Sequence, residues 1–109
     1  MDKEPIKLAE DEMLLTIFLK HHQIMNLDEI GKKLAETEFW KKFPPEGIEV
    51  VSWYVMMGIG QVVTLKVPAA RLRDVNLAIE KNAWGAFSTE FYTTYDFIPA
   101  WQNFKNNAK

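Results

Sequence analysis

Histidine occurs twice in this 109-residue sequence, and both copies stand together as Lys20-His21-His22. An imidazole titrates near pH 6.5, which suits a general base, so His21 and His22 are candidate catalytic residues. Adjacent residues of an extended strand point to opposite faces, however, so the two rings cannot share one metal ion without a bend, and no third ligand stands at a persuasive spacing. No metal site is expected. Tyr54 and Tyr92 carry hydroxyls within otherwise β-forming stretches and are the other two candidate catalytic groups. Phe18, Lys20, Ser52, Met56, Lys66 and Glu90 fall on the same alternating positions and are candidate ligand contacts. Glu90 and Lys66, as a buried pair, would shift each other's pKa; as an edge-strand ion pair they would do little. Trp53, Tyr54, Met56 and Met57, with Trp84, Tyr92 and Tyr95, would line an aromatic, sulfur-rich cavity or serve as core and interface.

Positioning these residues falls to a small set of elements. Met13 to Lys20 alternates with period two, placing Leu15, Ile17 and Leu19 on one face and Leu14, Thr16, Phe18 and Lys20 on the other, as a strand does. Asn26 with Glu29 forms a capping box, and Leu27, Ile30 and Leu34 then recur at helical spacing. This helix is expected to run to about Phe39 or Trp40, supported by Asp28–Lys32 and Glu29–Lys33 pairs, until Pro44-Pro45 stops it. Ile48 to Val67 reads as a hairpin turning at Met57-Gly58-Ile59-Gly60; no helix start follows these glycines, so they are no phosphate loop. In its first strand Val51, Trp53, Val55 and Met57 are expected against the helices, with Val50, Ser52, Tyr54 and Met56 opposite. Pro68 opens a second helix with a Leu72, Val75, Ile79 stripe, and Phe87 to Tyr95 is the last strand. Pro99 and the Trp101–Phe104 pair predict a short helical turn docked on something apolar.

The expected order is therefore βαββαβ, an α+β fold with a four-stranded antiparallel sheet and two helices on one face. Residues 1–12 form a mobile arm, 13–97 the domain and 98–109 a tail. The absence of Cys removes disulfides, thiolate catalysis and Cys-ligated metals. A net charge of −2 offers no footprint for nucleic acid, and no run approaches the ~18 apolar residues of a membrane span. With no secretory signal in the polar opening residues, a cytoplasmic location is expected. An RNA-binding module of the same element order would need aromatics on both middle strands, and Val62 to Val67 contains none.

In element order, chain length, lack of Cys and an aromatic-rich last strand, residues 13–97 resemble the dimeric α/β-barrel group of ferredoxin-like folds. That group includes muconolactone-isomerase-like, polyketide-cyclase-like and antibiotic-biosynthesis-monooxygenase-like proteins. The resemblance implies a homodimer whose mixed sheet faces pair into a barrel around a small apolar or aromatic molecule, and activity as a cofactor-independent oxygenase or isomerase. No motif of a particular subgroup is present, so no catalytic residue is carried over. The alternative is a non-catalytic ligand-binding or structural dimer, such as a small-molecule-sensing module.

Overall fold

The computed structural model describes residues 6–22 and 25–108. It is an α+β structure with one four-stranded antiparallel sheet and four helices. The strands are β1 (Glu12–His21), β2 (Glu49–Met56), β3 (Gly60–Pro68) and β4 (Phe87–Thr94), in the spatial order β2-β3-β1-β4. The helices are α1 (Leu27–Glu36), α2 (Phe39–Lys42), α3 (Leu72–Asn82) and α4 (Ile98–Asn107), with a 3-10 turn at Ala69–Arg71 leading into α3.

Alternation along β1 and β3 decides where the core lies. Leu15, Ile17 and Leu19 of β1 and Val63, Leu65 and Val67 of β3 are buried against Ile30 and Leu34 of α1, Phe39 of α2, and Val75 and Ile79 of α3. Both crossovers thus lay their helices on one side of the sheet, where apolar burial at ~25 cal/mol per Å² is the main stabilising term. Phe39 lies at the middle of this layer, stacked on Phe43 and edge-on to Phe87.

The capping box at the start of α1 forms as the sequence requires: Asn26 Oδ1 accepts from the Glu29 amide at 2.9 Å, and Glu29 reaches back to the Asn26 amide. The helix ends earlier than its periodicity suggests. Thr37 caps it, donating its hydroxyl to the Leu34 carbonyl and across to the Asn82 carbonyl of α3, and Glu38 takes a left-handed φ of 58° before the short α2 begins. Threonine hydroxyls compete for backbone carbonyls in this way, and here the competition ends the helix. Leu27 is exposed, leaving Ile30 and Leu34 as the buried pair. Neither expected ion pair along α1 is present among the described residues; Glu29 is held in the capping box, and Lys33 instead lies over Gly85.

At the hairpin tip Gly60 is required. Its φ is 152°, and a side chain there would collide with the carbonyl oxygen of Leu19 in β1. The tip is also bonded to β1 directly, since the His21 amide donates to the Ile59 carbonyl at 2.8 Å. β2 departs from simple alternation. A bulge between Val50 and Ser52 places two residues of β2 against one step of β3, so Val50 pairs with Leu65 on the helix side, and Ser52 and Tyr54 return to the opposite face. Of the Val51/Trp53/Val55/Met57 set expected against the helices, only Trp53 packs on the core, edge-on to Phe43 with its Nε1 donating to Gln61. Val55 is 69% exposed at the sheet's edge and Met57 sits in the turn.

Two flanking segments differ from expectation. Residues 1–5 of the expected arm lie outside the described residues, but residues 6–11 are tied down: the Ala69 amide donates to Asp11, Lys66 Nζ to the Lys7 carbonyl, and the Ile6 amide to Asp96. The expected C-terminal turn is a ten-residue helix, and it docks on no other element closely enough to bury any of its residues.

Candidate ligand-binding face of the sheet

The face of the sheet away from the helices is built in four cross-strand rows. Reading from β2 through β3 and β1 to β4, the pairings give Glu49/Lys66/Leu14/Thr94, Ser52/Thr64/Thr16/Tyr92, Tyr54/Val62/Phe18/Glu90 and Met56/Gly60/Lys20/Ser88. Each row follows from the pleat, because residues directly opposite each other project to the same side. All six candidate ligand contacts, Phe18, Lys20, Ser52, Met56, Lys66 and Glu90, lie on this one face, as do Tyr54 and Tyr92.

Leu14 is buried although it belongs to this face. The hydrogen bonds of Ile6 to Asp96 and of Lys66 to Lys7 hold the N-terminal segment across that end of the sheet. The remaining three rows stay open. From the second row into the first, three hydroxyls form a chain: Thr16 Oγ1 lies 2.9 Å from Thr64 Oγ1 and 3.0 Å from Thr94 Oγ1, and Thr94 donates to the Leu14 carbonyl. If each hydroxyl passes its proton along towards Leu14, all three donors are used within the face. A surface with its donors internally satisfied is well suited to apolar contact.

The charged groups pair as the strand order dictates. β1 separates β3 from β4, so Lys66 cannot meet Glu90; it faces Glu49 at 3.5 Å, while Lys20 donates to Glu90 at 2.5 Å. Tyr92 donates its phenol proton to the other Glu90 oxygen at 2.6 Å, and its ring meets Phe18 edge-on with centroids 5.7 Å apart. Hydrogen bonding from Lys20, and then from Tyr92, holds the Glu90 carboxyl below its ordinary range; the same bonds to Glu90 raise Lys20 and Tyr92 above theirs. The cluster is thereby fixed as ammonium, carboxylate and neutral phenol across the neutral range.

The four candidate catalytic residues are not brought together. Tyr54 and Tyr92 lie on the two outer strands, roughly 14 Å apart at a strand spacing of about 4.8 Å. His21 points to the helix side and stacks on Phe87 at 5.8 Å. His22 lies at the strand's end, in a groove of about 430 Å³ lined with Ile79, Glu80, Trp84, Phe87 and Ser88. Trp84 therefore belongs to this groove, and Glu80 and Ser88 were not distinguishable in sequence from ordinary surface residues. Among the described residues no cluster of three His, Asp or Glu could hold a metal ion, and no helix is long and apolar enough to cross a membrane.

Comparison of the chain with protein-family models, with curated proteins and with solved structures finds no match.

Proposed function

We propose that this chain is a ferredoxin-like, dimeric α/β-barrel protein that pairs its open sheet face with that of a second copy and binds a small, flat, apolar or aromatic molecule between the sheets. The observation that carries this reading is the open face itself: three uncovered rows in which Phe18, Val62, Met56 and Tyr54 surround hydroxyls and charges that already satisfy one another. Such a face is too apolar for bulk water and too polar for a sealed core. The spatial order β2-β3-β1-β4, with both crossovers passing on the helix side, supports the ferredoxin-like topology.

Binding is favoured over turnover as an oxygenase or isomerase. A general base works best with a pKa near the operating pH, yet the shifts within Lys20, Glu90 and Tyr92 all lead away from neutrality. His21, meanwhile, lies on the helix side, and His22 beyond the end of β1.

Sedimentation equilibrium combined with native mass spectrometry tests the proposal. Wild-type chain is expected to be a dimer carrying a low-mass adduct. Thr64→Glu, which sets two carboxylates into the paired faces, should be a folded monomer without adduct, and Val55→Glu on the exposed edge should remain dimeric. A wild-type monomer, or a Thr64→Glu dimer that keeps its ligand, would falsify the reading.

A further inference from the structure

Helix α4 is the least supported element of the molecule. It buries none of its residues, yet Phe97, Trp101, Phe104 and Ala108 recur at i, i+4, i+7 and i+11, an apolar stripe whose three aromatic rings are each about half exposed or more. Phe97 and Phe104 lie against each other with ring centroids 6.2 Å apart, and Lys105 lies over Trp101. A ten-residue helix standing alone is marginal in water, so packing against another surface is what would normally sustain it.

The molecule is elongated. Its radius of gyration is 16.3 Å, whereas a compact chain of this length has about 13 Å. The ten residues of β1 span roughly 33 Å and those of α4 about 15 Å. Laid end to end they come to about 48 Å, close to the 53 Å long axis, which agrees with α4 running on past the end of the sheet. Its departure is fixed rather than loose, because Asp96 accepts from the Ile98 amide at 2.9 Å and from the Ile6 amide at 3.5 Å.

We infer that α4 is a clasp, whose Phe97/Trp101/Phe104 stripe packs on a second copy of this chain and completes the dimer interface begun by the open sheet face. This rests on the reading of that face as an interface. The area argues for it. Four strands at about 4.8 Å and the three open rows at about 6.7 Å give roughly 390 Å² per copy. That is about 780 Å² in all, short of the ~1,000 Å² a specific interface clears. A stripe ~15 Å long and ~10 Å wide on each copy, together with the surface it covers, adds about 600 Å² and brings the total to roughly 1,400 Å², within the range of a specific interface.

Charge points the same way. Lys20 and Lys66 are each matched by a carboxylate on the sheet face, and the one charge of α4 is Lys105, so self-pairing brings no block of like charge together. The remaining surface of α4 is Gln102, Asn103, Asn106 and Asn107. It lacks the Lys/Arg-rich polar face of a helix that lies on anionic lipid.

The test is the dimer dissociation constant of the full chain carrying Trp101→Glu and Phe104→Glu together, beside Asn103→Glu as a control and Thr64→Glu as the sheet-face variant. Because none of these side chains is buried in the single chain, circular dichroism should show each variant folded. Loss of two aromatic anchors from each copy is expected to weaken the dimer at least ~100-fold, with Asn103→Glu unchanged. If Thr64→Glu dissociates the dimer and the α4 pair leaves its constant untouched, the clasp is wrong and the sheet interface stands. If only the α4 pair weakens it, the helix contact stands and the sheet reading falls. A wild-type chain that stays monomeric in solution but floats with phosphatidylserine vesicles would assign the stripe to lipid and overturn the clasp.

Discussion

The two faces of the sheet use the same strands and reach opposite ends. On the helix side Ile17, Leu19, Val63, Leu65 and Val67 have no polar atoms beyond the backbone and are almost wholly enclosed. On the other side the intervening residues, Thr16, Phe18, Val62 and Thr64, are only half-buried; Thr16 and Thr64 are joined through their hydroxyls, and Lys20 pairs with Glu90 beside them. Period-two alternation is what allows one strand to serve both purposes, and the lesson is that stability and recognition are divided here between odd and even positions. A change on the helix side should be felt in folding, and a change on the open side in association.

The largest effect expected is on the covered face. Leu65→Ala removes a fully buried side chain from the centre of the core and should cost about 2–5 kcal/mol in chemical denaturation. Thr16→Val, one position over on β1's open side, should cost less than ~1.5 kcal/mol, since its hydroxyl partners keep access to water. Equal losses would erase the division between the faces.

Gly60→Ala comes next, and it probes the tip where both faces end. With a φ of 152° and the Leu19 carbonyl in the way, alanine should destabilise the fold by about 1–3 kcal/mol, measured by thermal unfolding. A neutral result would mean that β1 and β3 separate readily at this end.

The smallest effect concerns the open face's charges. Glu90, held below its ordinary value, contributes stability present above that value and lost as pH falls through its folded pKa. Lys20 and Tyr92, raised above theirs, contribute stability present below their ordinary values and lost as pH rises through the folded ones. The cluster's contribution should therefore be level from about pH 5 to 9. Glu90→Gln should flatten both flanks and let the Tyr92 phenol ionise at lower pH in an ultraviolet titration. An unchanged titration would show that the three groups do not interact in solution.

Much of this architecture was legible in the residues because local chemistry wrote it. The alternation of β1, the Asn26–Glu29 box and the glycine turn each need only a few neighbours to be read. The bulge in β2 was not, since Val50 and Val51 are both valine and a one-residue slip leaves no mark on an apolar run. The end of α1 depended on Thr37 reaching a carbonyl 45 positions away in α3. The face was legible, but the pairing on it was not: whether Glu90 meets Lys66 or Lys20 depends on β1 lying between β3 and β4, and lateral strand order has no local signature. His21 and His22 stand where β1 ends, and the alternation of the strand turns His21, its last residue, to the helix side against Phe87, while His22 lies just beyond it.

The junction at Asp96 also has a mechanical meaning. β1 begins and β4 ends at the same edge of the sheet, as antiparallel neighbours paired from Leu14 and Thr94 inward. Tension applied between the segments that precede β1 and follow β4 would break the Asp96 bridge first and then open the β1–β4 ladder one rung at a time, like a zipper, rather than loading every rung at once in shear. A chain that resists heat through its core would on this geometry yield to a small pull along its ends.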